Sequence, residues 1–128
     1  MTPSELKAAC LGLSGAEETF PFNPETSVFK VAGKMFAISD LGAPALGVSL
    51  KCDPDLAVRL RAEYPAITGG WHLNKRHWNT VALDGTLPDV MVCEMIEDSY
   101  DLVVAGLPRR QQLLLDWPGL RGPGAEQG

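Results

Sequence analysis

Apolar and polar positions along the chain alternate between two periods, which predicts a mixture of helices and strands. Leu6, Ala9, Cys10 and Leu13 recur at the i, i+3, i+4, i+7 spacing of a one-sided helical stripe. Thr2-Pro3-Ser4-Glu5 ahead of them supplies a capping hydroxyl, a proline at the first helical position and a glutamate placed to close a capping box. Gly12 and Gly15 end this helix. The segment from Gly15 to Pro24 reads as a loop, carrying Glu17-Glu18 and the aromatics Phe20 and Phe22, which are expected to anchor it to the core.

The period then shortens to two. Thr26 to Val31 and Lys34 to Ser39 are rich in β-branched and aromatic residues and are joined by Ala32-Gly33, the pattern of a tight hairpin. Leu46, Val48 and Leu50 alternate with Gly47, Ser49 and Lys51, giving a third strand with one buried face. Asp53-Pro54 opens a second helix, striped by Leu56, Ala57, Leu60 and Tyr64 and stopped by Pro65. Between Ile67 and Leu83 the pattern is less regular. Gly69-Gly70 breaks it, and the reading is a short strand through Trp71 and His72, a turn at Asn74-Lys75-Arg76, and a strand from His77 to Leu83. Pro88 opens the longest helix, to Ala105, with Val92, Met95, Ile96, Ser99, Leu102, Val103 and Gly106 on one face and Glu94, Glu97, Asp98 and Asp101 opposite. A last short helix carries Leu113 and Leu114. This order predicts an α+β fold, a two-layer sandwich of one antiparallel sheet of about five strands with helices on one face. The other face is expected to be partly open to water. Residues 1–117 form one domain in this reading, and 118–128 a disordered Pro/Gly-rich tail.

Composition narrows the class more than the function. A chain of 128 residues with 45% hydrophobic content is one globular domain. It shows no signal pattern and no membrane-spanning apolar run. Cys10, Cys52 and Cys93 are odd in number and far apart, which fits reduced thiols in a cytoplasmic protein. No nucleophile elbow, phosphate loop, E-x-x-H or C-x-x-C spacing is present, so no catalytic set, metal site or cofactor is expected. Ser99, on a helix stripe, is expected to bond back to the preceding turn.

The formal charge of −5 argues against a generic basic nucleic-acid binder, but it is unevenly spread. Residues 1–27 hold one base and four acids, residues 28–81 seven bases and four acids, and residues 82–128 three bases and eight acids. The central segment is therefore net positive, and Lys30, Lys34, Lys51, Lys75 and Arg76 fall in its strands and hairpin turns. Two hairpins tipped with Lys34 and with Lys75-Arg76, near Trp71 and Trp78, have the parts of a surface for anionic ligands. Edge-strand lysines that deter aggregation and core tryptophans account for the same residues.

Three segments carry a family resemblance: Phe29-Lys30-Val31-Ala32-Gly33-Lys34-Met35-Phe36, His72-Leu73-Asn74-Lys75-Arg76-His77-Trp78 and Ser99-Tyr100-Asp101-Leu102-Val103. In order and spacing they resemble the MmcQ/YjbR family, over about residues 3 to 117, and Glu17-Glu18 with Phe20-Pro21-Phe22 is similar to its first connection. The resemblance implies a bacterial, cytoplasmic, CyaY-like α+β domain, in a family commonly labelled DNA-binding by likeness to a double-wing arrangement. The positions it implies for nucleic acid are Lys30, Lys34, Asn74, Lys75, Arg76 and Trp78. Two other readings stay open. One is a protein- or small-ligand-binding module, including a homodimer through the open sheet face or a cleft beside Trp71 and His72 taking an acidic partner. The other is an enzyme with His72 or His77 as base.

Overall fold

A computed structural model describes residues 1–70 and 73–115. The chain runs α1 (Pro3–Leu11), β1 (Ala16–Thr19), β2 (Ser27–Val31), β3 (Lys34–Ser39), β4 (Gly47–Lys51), α2 (Pro54–Glu63), β5 (Ile67–Gly69), β6 (Trp78–Ala82), α3 (Asp89–Ala105) and α4 (Arg109–Leu114). The six strands form one antiparallel sheet in the order β1-β2-β3-β4-β6-β5. The α+β class is as the pattern predicts, with one strand more. Trp71, His72 and the tail from 118 lie outside the described residues.

Residue parity across the register assigns the faces. Phe29, Ala37, Leu50 and Val48 share one face with Val81 and Ile67, and all are buried. Helix α3 lies over β2, β3 and β4 on this face, α1 over β1, and α2 over β5 and β6. Phe36 and Tyr100 meet edge to face there, ring centroids 5.5 Å apart. The opposite face carries Lys30, Met35, Ile38, Ser49, Thr80 and Lys51. Val28 and Trp78 lie on that face too, yet both are buried, so it is only partly open.

The two turns expected from glycine are informative. Ala32 and Gly33 have φ of 49° and 79°, positive at both positions as in a type I′ hairpin. Gly70 is required by proximity, since a Cβ there would lie 2.8 Å from that of Trp78. The capping box at Thr2 and Glu5 forms as read, with bonds of 2.8 and 3.1 Å.

Several expectations are corrected. The segment expected to be a loop at Glu17-Glu18 is edge strand β1. An edge strand needs no apolar alternation, and here Glu18 accepts from Ser27 Oγ at 2.7 Å and pairs with Lys7 at 3.1 Å. Phe20 and Phe22 are 51% and 62% exposed and anchor nothing; the connection is held by Asn23 Oδ1, which accepts from the amides of Glu25 and Thr26. Strand β5 spans Ile67–Gly69, and the strand expected through Trp71 and His72 falls outside the described residues. On α3 the buried stripe includes Tyr100 and Val104, while Leu102 is 40% exposed. On α4, Leu113 and Leu114 are exposed and Gln112 is buried, its Nε2 donating at 2.8 Å to the Val104 carbonyl near the α3 C-terminus.

Ser99 does not bond back to its own helix. A bulge in the β2–β3 ladder leaves Phe36 as the extra residue, and β4 pairs with β3 only at Ser49 and Leu50. The fully buried Ser99 fills that gap, its Oγ donating to the Phe36 carbonyl at 2.6 Å and accepting from the Lys51 amide at 2.9 Å. Beside it, Tyr100 Oη donates to the Ser14 carbonyl at 2.5 Å. Burial pushes the Tyr100 hydroxyl pKa up, Asp101 adds to this, and the bond to Ser14 opposes it.

Candidate nucleic-acid interface

The antiparallel order decides where the basic residues gather. Lys51 at the end of β4 pairs with Trp78 at the start of β6, and β3 enters beside β4 from Lys34. The β2–β3 turn and the β5–β6 connection therefore emerge at the same end of the sheet. Lys34, Lys75 and Arg76 are exposed at that end. Between them stands Lys51, half-buried, on the strand that separates the two hairpins. Two to three strand spacings, roughly 10–14 Å, separate the tips. Lys51 is a position the sequence reasoning left out of its site, although β4 alternation already put it on the Ser49 face.

The other expected positions behave differently. Lys30 faces the open side but sits directly opposite Glu17 of β1, which offsets its charge. Asn74 is exposed, and its Oδ1 accepts from the Arg76 amide at 2.9 Å, so it builds the turn that presents Lys75 and Arg76. Trp78 is 8% exposed and offers no stacking face. The β5–β6 tip is braced from behind. Arg61 of α2 donates through Nη1 to the Lys75 carbonyl at 2.7 Å and to Asn79 Oδ1 at 2.8 Å. The Lys75 ammonium lies 3.3 Å from the Gly70 carbonyl, and its stem packs against Gly69.

Two hollows lie on the two sides of the sheet. One, of about 660 Å³, is on the open face and runs from Ser49, Thr80 and Leu73 toward the end away from the basic tips, at Gly47 and Phe22. The other, of about 400 Å³, opens on the helix side between α2 and α3. His77 lines neither, and its backbone carbonyl accepts from the Cys52 amide at 2.7 Å. Among the described residues no group of three or more His, Cys, Asp or Glu side chains could hold a metal ion. None of their helices is long and apolar enough to cross a membrane. All three cysteines are free thiols. Burial, with a contribution from Cys93, pushes the Cys10 pKa up to about 12.

Comparison with known proteins follows the same outline. The YjbR family model matches residues 11–102. The uncharacterised protein YjbR of Escherichia coli K12 is 37% identical over 115 residues, spanning 90% of this chain and 98% of that protein. The uncharacterised YbdF of Escherichia coli O157:H7 is 37% identical over 106 residues, 83% of this chain and 87% of its own length. Among solved structures, the crystal structure of Deinococcus radiodurans protein DR2400, with family-model domain DUF419, superposes with a TM-score of 0.85 at 41% identity. It covers 91% of this chain and 89% of that one. A Pseudomonas syringae protein superposes with a TM-score of 0.68 at 27% identity, over 80% of this chain and 98% of its own.

Proposed function

The chain belongs to the YjbR family, and from that premise we propose that it is a cytoplasmic nucleic-acid-binding module that grips phosphates with one end of its sheet. The observation that carries this reading is the convergence of Lys34, Lys51, Lys75 and Arg76 at that end, from three separate segments of an acidic chain. The roughly 10–14 Å between the hairpin tips is comparable with the ~12 Å width of the major groove of duplex DNA. The two tips can then rest on phosphates of the two strands bordering one groove. Lys30, Asn74 and Trp78 take supporting places in this reading. They fix the face and the turn rather than touch the ligand.

The contacts are ionic and few, so binding is weak and salt-dependent. Four neutralised phosphates give a slope of log affinity against log salt of about −3.6, or a loss of about 150-fold between 50 and 200 mM salt. Fluorescence anisotropy with labelled duplex and single-stranded oligonucleotides measures this. Lys34 and Arg76 are exposed, so a K34A/R76A double variant keeps the fold and is expected to halve the slope to about −1.8. R109A, in exposed α4, leaves it unchanged. Absence of binding at tens of micromolar in low salt, or a slope that ignores K34A/R76A, refutes the proposal.

A further inference from the structure

The groove between α2 and α3 has no role in that reading. Both helices pack on the same sheet face, α2 over β5 and β6 and α3 over β2 to β4, and a groove lies between them. Leu50 and Val81 make the floor with the buried Asn79. Leu56 and Leu60 line the α2 wall, and Met95, Leu102 and Ala105 the α3 wall. At about 400 Å³ the groove falls within the range of small-molecule sites, which are mostly apolar with a few placed polar groups.

The polar groups at its rim are largely of one sign. Asp98 and Asp101 stand on the α3 side and Asp53 at the α2 N-terminus, where its Oδ2 accepts from the Leu56 amide at 3.2 Å. Asp98 makes no ion pair or hydrogen bond among the described residues. Two cations are nearby. Arg61 is engaged by Asn79 and the Lys75 carbonyl. Lys51 borders the groove beside Cys52, one cation against the three carboxylates, while parity carries its side chain toward the opposite face of the sheet. An apolar trough with carboxylates along one lip complements a molecule with an apolar body and a cationic head.

We propose that this groove is a binding site for small organic cations with an apolar body, such as arylalkyl amines, the body lying on Leu50, Leu56, Leu60 and Leu102 and the ammonium against Asp98. Burial and the charges of Asp101 and Glu94 raise the Asp98 pKa, and a bound ammonium reverses that direction. The half-buried Cys52 lines the same groove, so occupancy shields its thiol.

The site is tested with a matched trio on the full chain: 4-phenylbutylamine, 4-phenylbutanol and 4-phenylbutanoate. Their apolar bodies are the same and their heads differ in charge. Titration followed by amide chemical shifts is expected to give a saturable response to the amine with a midpoint below about 1 mM, centred on Leu56, Leu60, Met95 and Leu102. The alcohol binds severalfold more weakly and the carboxylate weakest. D98N brings the amine down to the level of the alcohol and leaves the alcohol unchanged. A105W, at an exposed groove position, fills the trough and abolishes the response to both. Bound amine slows alkylation of Cys52 and leaves that of Cys93 unaltered. Equal responses to amine and carboxylate, shifts centred outside the groove, full amine binding to A105W, or no response to any of the three overturns the proposal. None of these outcomes depends on nucleic-acid binding, so the two proposals fail separately.

Discussion

Replacing Ser99 with alanine removes one oxygen and tests how the sheet and α3 are joined. That oxygen serves two backbone groups on different strands, the Phe36 carbonyl and the Lys51 amide. The carbonyl lies in a fully buried setting, where a lost partner costs about 1–3 kcal/mol; the amide is part-buried and costs about 1 kcal/mol. Alanine recovers roughly 0.5 kcal/mol through its better helix propensity. The net loss for S99A is therefore about 1.5–3.5 kcal/mol, a large share of the 5–15 kcal/mol typical of a domain. At roughly 4 °C per kcal/mol for a chain of this size, Tm falls by roughly 6–14 °C. Urea titration should show an earlier midpoint at unchanged slope, because the surface exposed on unfolding is the same. Hydrogen exchange should show the Lys51 amide losing protection ahead of its neighbours on β4. Tyr100→Phe is the comparison: its lost bond to Ser14 is only part-buried, so about 1 kcal/mol is expected. A loss below about 0.5 kcal/mol for S99A, or a Lys51 amide that exchanges as before, would show that the gap is satisfied some other way.

Three further outcomes are expected. Ala32 occupies the left-handed region at φ 49°, where a non-glycine residue is strained, so Ala32→Asn should stabilise the hairpin by about 0.5–1 kcal/mol, read as a later urea midpoint. Asp98 binds its proton more tightly in the folded chain than at the ordinary 3.8, so its ionisation costs stability as pH rises through that window, and the cost is fully present at neutral pH. D98N should accordingly melt higher than the parent at pH 7, with the gap closing below about pH 4; a gap independent of pH contradicts the assignment. Cys10, buried and pushed up to about 12, should resist iodoacetamide at pH 8 while Cys52 and Cys93 react, and should label fully in urea; native labelling of Cys10 at the same rate as the others refutes its burial.

The sequence was most legible where local chemistry and tertiary demand agree. The capping box at Thr2, the Ala32-Gly33 hairpin and the alternation of β4 each carry their own signal, and each forms as expected. Strand β1 had no such signal, because Glu18 is placed by Ser27, further along the chain, and by Lys7 of α1. Gly69 and Gly70, which read as a break, are there to let Lys75 and Trp78 approach. At the basic end, residue type and rough location were readable, but strand order was not. Only the order reveals that Lys51 stands between the two tips and that Lys30 is matched by Glu17. The groove between α2 and α3 was not readable at all, since it is defined by the space between two helices.

The ties made by Ser99 and Tyr100 also bear on the order in which the molecule assembles. Ser99 reaches back 63 residues to Phe36 and 48 to Lys51, and Tyr100 reaches back 86 to Ser14. Contacts of such sequence separation are slow to close and come late in folding. During synthesis, β1 to β4 leave the ribosome well before α3, with the bulged carbonyl of Phe36 and the amide of Lys51 still dependent on water. The N-terminal half thus waits as an incomplete sheet until two adjacent residues of α3 arrive and secure both ends of it.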